Sequence, residues 1–204
     1  MAKIKEKFYA GFIKDNPIFV QILGICSALA VTNLMMNSLI MGVGLMLTTA
    51  FSELGISLLR DNTPKHIRMM VQTFVISFFV IVLDIFLKAY MPAMSKALGP
   101  YVGLIITNCI IMGRCEAFAQ NNGPLDSFVD GLAYGGGYAM VLLLIAFIRE
   151  LLGFGTIFGI AVMPAGFVKW TLMVMPPAAF FILAILIWIA NTLKKDDAKE
   201  GKSA

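Results

Sequence analysis

Six long apolar runs follow one another along this chain with only short polar stretches between them. They lie near Pro17 to Thr32, Leu39 to Leu59, Ile67 to Leu87, Pro100 to Phe118, Phe128 to Ile148 and Trp170 to Leu193. A helix of about 20 apolar residues spans a hydrocarbon core of about 30 Å. In lipid every backbone N–H and C=O must be satisfied within the protein, which leaves helices or closed barrels as the spanning structures. The runs are too long and too evenly apolar for barrel strands, so the fold class is an all-α integral membrane protein with six transmembrane helices. The composition agrees, with 59% hydrophobic and only 14% charged residues in 204, far from that of a soluble domain.

The domain layout follows from the same runs. Residues 1–16 are expected to be a cytoplasmic N-terminal segment, 17–193 the six-helix domain, and 194–204 a cytoplasmic tail. The lysine-rich start is followed by "FYAGFIKDNP", which is too polar for a signal-peptide core, so the first span is expected to be retained. With both termini on one side, that side carries twelve Lys and Arg and the other four. The positive-inside rule then puts both termini in the cytoplasm. The net charge of +4 is no sign of nucleic-acid binding, because the lysines sit in tails and short loops rather than among aromatics on one face. The loops, such as "RDNTPKH" and "QNNGPLDS", leave no room for a soluble catalytic domain.

The first and fourth runs are the shortest, and they echo each other: "NPIFVQILGIC" and "GPYVGLIITNC" each set a proline nine residues before a cysteine. The offset from Cys26 to Cys109 is 83 residues. These two spans enter the membrane from opposite faces, so the halves at about 17–90 and 100–193 read as inverted-topology repeats. If each proline opens a helix, nine residues at 1.5 Å each carry the chain roughly 13 Å inward. That is close to the midplane. One reading of Cys26 and Cys109 is a pair of small residues tolerated inside a bundle; the other is a pair of metal ligands. A tetrahedral site or a 2Fe-2S cluster needs four thiolates, so a second chain would have to supply two more. Cys115, about 240° further round an ideal helix than Cys109, falls on another face.

Four blocks, "NPIFVQILGICSALAVT", "VGLIITNCIIMGRCEAFA", "DGLAYGGGYAMV" and "FIRELLGFGTIFG", resemble the family of membrane subunits shared by the Na+-translocating NADH:quinone reductase (Nqr) and the Rnf electron-transport complex. Ser27 after the first cysteine and "MMVQ" after Arg68 resemble the Nqr branch; the corresponding Rnf subunit usually has proline and an Ile-Pro pair there. The resemblance implies a component of a translocase in the bacterial inner membrane, paired in inverted orientation with a homologous E-type subunit. It also implies that Cys26 and Cys109 give two of the four ligands to a shared intramembrane 2Fe-2S centre. NADH, FAD, FMN, riboflavin and quinone would be handled by the A, B, C and F components, with Na+ export as the outcome. Alone, the chain would have no NADH oxidation activity. Cys115 departs from the alanine usual in the family.

Ionisable residues inside spans are expensive and mark candidate ion routes. Glu53 is the deepest, and Asp84 and Asp130 lie nearer helix ends; all three are candidates for a sodium pathway. For Asp130 the plainer reading is a favourable interaction with a helix start. Arg114 reads either as a counter-charge to an anionic centre or as a cytoplasmic anchor. Gly131, Gly135, Gly136 and Gly137 lack a P-loop context and point to close helix packing. Two rivals remain: the Rnf subunit, with the same architecture, and a small inverted-repeat secondary transporter, which would bind substrate alone and hold no iron.

Overall fold

The computed structural model describes residues 16–157, 160–161 and 175–200. The termini and the stretch before the last helix, including the start of the expected sixth span at Trp170, lie outside the described residues. The described chain is helical apart from one small antiparallel pair, β1 (Thr156–Ile157) with β2 (Ile160–Ala161). In chain order the helices are α1 (Ile25–Val31), α2 (Met35–Leu59), α3 (Arg68–Tyr90), α4 (Pro92–Ile106), α5 (Cys109–Arg114), α6 (Pro124–Gly153) and α7 (Pro176–Glu200). A π turn, Cys115–Ala119, extends α5. Helices α2, α3 and α6, and the combined stretch Gly99–Ala119, are long and apolar enough to cross a membrane; the apolar part of α7, Pro177–Thr192, is shorter.

The centre is the antiparallel pair α2 and α6. Small residues let the two backbones approach: a Cβ added at Gly131 would sit 2.7 Å from the Ala50 Cα, and one at Gly135 would sit 2.7 Å from the Met46 Cα. Further along the crossing Gly42 meets Ala139, with 2.8 Å from the added carbon to the Ala139 Cβ. This is the close packing the glycine-rich block predicts, and it suits a bilayer, where van der Waals contact rather than the hydrophobic effect draws helices together. Helix α3 lies outside the pair and exposes Met70, Phe74, Phe78, Ile85 and Phe86.

Local chemistry sets the helix starts. Pro92 and Pro124 occupy first-turn positions of α4 and α6, where the missing N–H costs no bond. The start of α2 has no side-chain cap of its own. Instead the Glu150 carboxylate at the far end of α6 accepts the Met35 N–H at 2.6 Å. Next to it, the fully buried Arg149 donates to Thr32 Oγ1 at 2.7 Å. By sequence position both charges belong at a wet helix end; they are buried instead, and they lock the α1–α2 junction onto α6.

The first and fourth runs differ most from expectation. Pro17 opens no helix: residues 17–21 form a turn, and α1 starts only at Ile25. Pro100 lies inside α4, which starts eight residues earlier at Pro92. Neither cysteine is therefore carried inward by nine continuous helical residues from a proline.

Candidate functional site

The path to Cys26 is shaped by Asn16 and two left-handed residues. The Asn16 side chain accepts the Ile18 N–H at 3.1 Å and donates to the Gly137 carbonyl of α6 at 3.2 Å. The Asn16 and Pro17 carbonyls accept from the N–H groups of Val20 and Leu23. Ile22 and Gly24 then take φ of 55° and 77°, a region that costs a β-branched residue about 1–2 kcal/mol. After Gly24 the chain turns helical, with Cys26 second in α1.

The path to Cys109 is a different break. Helix α4 ends at Ile106, and Asn108, in extended conformation, caps α5 by accepting the Ile110 N–H at 3.0 Å. Asparagine is among the best residues for this role. Cys109 is the first residue of α5.

The two breaks meet. The Gly24 N–H donates to Cys109 Sγ at 2.9 Å, so the sulfur of one break rests on the backbone of the other. The Ser27 hydroxyl donates to the Gly24 carbonyl at 3.1 Å and lies 2.6 Å from the Tyr138 hydroxyl. Asn108 Nδ2 donates to Ser27 Oγ at 3.0 Å. With the Ser27 proton committed to Gly24, Tyr138 is the donor to Ser27. Gly24, Ser27, Asn108 and Tyr138, all of them buried, thus tie α1, α5 and α6 around the two thiols.

Cys26 is exposed on the isolated chain, Cys109 is half-buried and Cys115 is buried. Among the described residues no group of three or more His, Cys, Asp or Glu comes together to hold a metal. Two thiols with the right softness for iron or zinc, one already accepting a backbone N–H and one facing outward, fit half of a four-thiolate set. Partial positive charge at helix starts favours thiolates there.

A second cluster surrounds the π turn, a helical irregularity frequent at functional sites. Arg114 Nε donates to Asp130 Oδ2 at 3.0 Å, and its Nη2 binds the same oxygen. The guanidinium lies 3.7 Å from the centre of the Tyr134 ring. Arg114 is therefore an internal ion-pair partner, not a cytoplasmic anchor. Glu53, fully buried on α2, has no hydrogen-bond partner for either carboxylate oxygen among the described residues. The sequence signals Arg114, Asp130 and Glu53 but not their convergence. Asp84 stands apart on α3, paired with Lys88 at 2.5 Å one turn on. Glu116 accepts from Arg68 at 3.0 Å and from Gln72 at 2.7 Å, joining α3 to the π turn. Sequence reasoning missed Tyr138, Asn108 and Ser27; the asparagine before a helical stretch is the one signal that pointed there.

Broken helices with thiols at their starts, ion pairs inside the bundle and apolar spans define a polytopic membrane protein built for passage of charge rather than for chemistry in solution. The chain belongs to the Rnf-Nqr family, described as "Rnf-Nqr subunit, membrane protein", whose pattern matches residues 4–187. It is 45% identical to the D subunit of the Na(+)-translocating NADH-quinone reductase of Pseudoalteromonas translucida, with 97% of this chain and 96% of that one covered. The corresponding D subunit of Pseudomonas aeruginosa PAO1 is 48% identical, covering 96% and 90%. That of Photobacterium profundum is 44% identical, covering 97% and 98%. By name these relatives are components of an oxidoreductase complex.

Proposed function

We propose that this chain is the membrane component of a Na+-translocating NADH:quinone reductase that holds half of an intramembrane 2Fe-2S centre through Cys26 and Cys109. The homologous E-type subunit supplies the other two thiolates, and the A, B, C and F components carry NADH oxidation, the FAD, FMN and riboflavin groups and quinone reduction. The observation that carries this reading is the Gly24 N–H on Cys109 Sγ, which brings the two thiol-bearing breaks together. When bound, such a centre supplies one-electron transfer between carriers on the two faces of the membrane. The chain's own residues hold the ligands: Asn108 fixes the start of α5, Ser27 and Tyr138 fix the start of α1, and the outward Cys26 faces the partner.

In this reading the chain consists of two inverted halves. Helices α1, α2 and α3 correspond to α5, α6 and α7, an assignment supported by the antiparallel α2–α6 contact and by the helix break before each cysteine. The surplus of Lys and Arg on the terminal side supports cytoplasmic termini in the bacterial inner membrane. The identities near 45% with Nqr D subunits from several bacteria support the Nqr complex over Rnf. Glu53, Asp84 and Asp130 are the candidate acids along a sodium route; at Asp84 and Asp130 a passing ion would displace Lys88 or Arg114.

The test is iron content and the EPR or Mössbauer spectrum of the complex purified anaerobically with Cys26→Ala or Cys109→Ala in this chain. Loss of the intramembrane iron signal from an assembled complex is expected for either variant. An unchanged signal would remove the cysteines from the centre.

A further inference from the structure

Among the buried acids of the described residues, Glu53 alone has bare carboxylate oxygens. Asp130 is bound by Arg114, and Glu150 accepts the Met35 N–H. Glu53 is 0% exposed, and the hydroxyl of the adjacent Ser52 is also buried without a partner among the described residues. Glu53 stands six residues from the end of α2, about 9 Å of helix, where α2 packs on the π turn. The titratable and charged groups that act on it are Asp130 from α6, Arg114 from α5, and Cys115 at the start of the π turn.

The charges do not balance. Two carboxylates, Glu53 and Asp130, face one cation, Arg114, which is already bound to Asp130 and covered by Tyr134. An uncompensated buried charge costs several kcal/mol even after relaxation, and neutral Cys115 brings no compensation. A single added positive charge makes the cluster neutral. We infer that Glu53 is a binding site for one monovalent cation, a proton or a sodium ion, which neutralises the Glu53–Asp130–Arg114 cluster. The sodium alternative rests on the proposed role in sodium export, whereas the charge count stands without it. Ser52 supplies a further oxygen on the same turn, as a sodium ion with oxygen ligands requires.

The experiment uses the intact complex and a hydrophobic carbodiimide, which reacts with protonated carboxyl groups out of water. Modification of the peptide containing Glu53 is measured by mass spectrometry in choline, potassium and sodium chloride at one ionic strength, with Glu53→Gln as the control. Modification in choline and potassium chloride is expected. A fall of roughly tenfold or more in sodium chloride, with sodium well above its dissociation constant, identifies an ion that displaces the proton; no fall identifies a proton site alone. Infrared spectra of the same samples cover the case in which the reagent cannot enter, because a protonated Glu53 gives a carboxylic-acid carbonyl band that Glu53→Gln lacks. No modification together with identical infrared spectra of the two proteins in choline chloride overturns the inference. The iron spectrum separates this result from failure of the proposed function: Glu53→Gln is expected to keep the iron signal, and Cys26→Ala to keep the Glu53 modification.

Discussion

The chain arrives at Cys26 through two left-handed residues, Ile22 and Gly24, and at Cys109 through a capping asparagine. The first break has no cap from its own side chains and is held from outside, by Cys109 Sγ on the Gly24 N–H and by Ser27 under Tyr138. The second is stabilised locally and needs no left-handed residue. Two positions with the same task are thus unequal, and the first break depends on the second. This explains why the repeat is so faint in sequence: equivalent geometry is reached with unrelated residues.

Substitutions in the two breaks test that asymmetry. The largest effect is expected from Gly24→Ala, which adds a carbon 2.5 Å from the Ile110 Cδ1 and 2.9 Å from the Tyr138 ring in a left-handed residue. A left-handed alanine costs about 1–2 kcal/mol and overpacking a further 1–3 kcal/mol or so. Loss of the assembled complex on size exclusion is the expected outcome, and a normal yield would contradict the crowding around Gly24. Asn108→Ala removes a cap of about 0.5–2 kcal/mol and a donor to Ser27. It should lower the thermal midpoint and broaden the iron spectrum, because both breaks loosen; a change confined to stability would mean that Asn108 does not position the thiols.

Tyr138→Phe deletes one hydrogen bond to Ser27, a loss of about 1 kcal/mol, and should shift the iron spectrum with little change in assembly. Ser27→Ala in the same background should add less than it does alone, since the two groups share one interaction. The smallest effect, of opposite sign, belongs to Gly103 in α4. It has open space at its Cβ position, so Ala there should stabilise by up to about 1 kcal/mol. Destabilisation by Gly103→Ala, read as a lower thermal midpoint, would show that the glycines of the two echoing segments are equivalent after all.

The spanning helices were legible because their signal is length and polarity. Leu39 to Leu59 and Ile67 to Leu87 fall within a few residues of α2 and α3. The breaks were not legible, because "PIFVQILGICSALAV" and "YVGLIITNCIIMG" read as continuous apolar runs and a left-handed glycine leaves no mark on hydropathy. The two cysteines could be picked out from their spacing, but the depth argument used helix where the chain makes a turn. Arg114, Arg149 and Glu150 were misjudged for one reason: a charge near the end of an apolar run looks solvent-facing until tertiary contacts such as Asp130, Thr32 and the Met35 N–H are known.

The glycine-lined crossing of α2 and α6 has a mechanical consequence. With added carbons at Gly42, Gly131 and Gly135 all within 2.8 Å of atoms on the opposing helix, the two rods mesh like gear teeth. Sliding one along the other by part of a turn would force backbone over backbone. Any stroke that accompanies turnover must therefore leave this axle fixed and be taken up elsewhere, by the short segments hinged at Gly24 and Asn108.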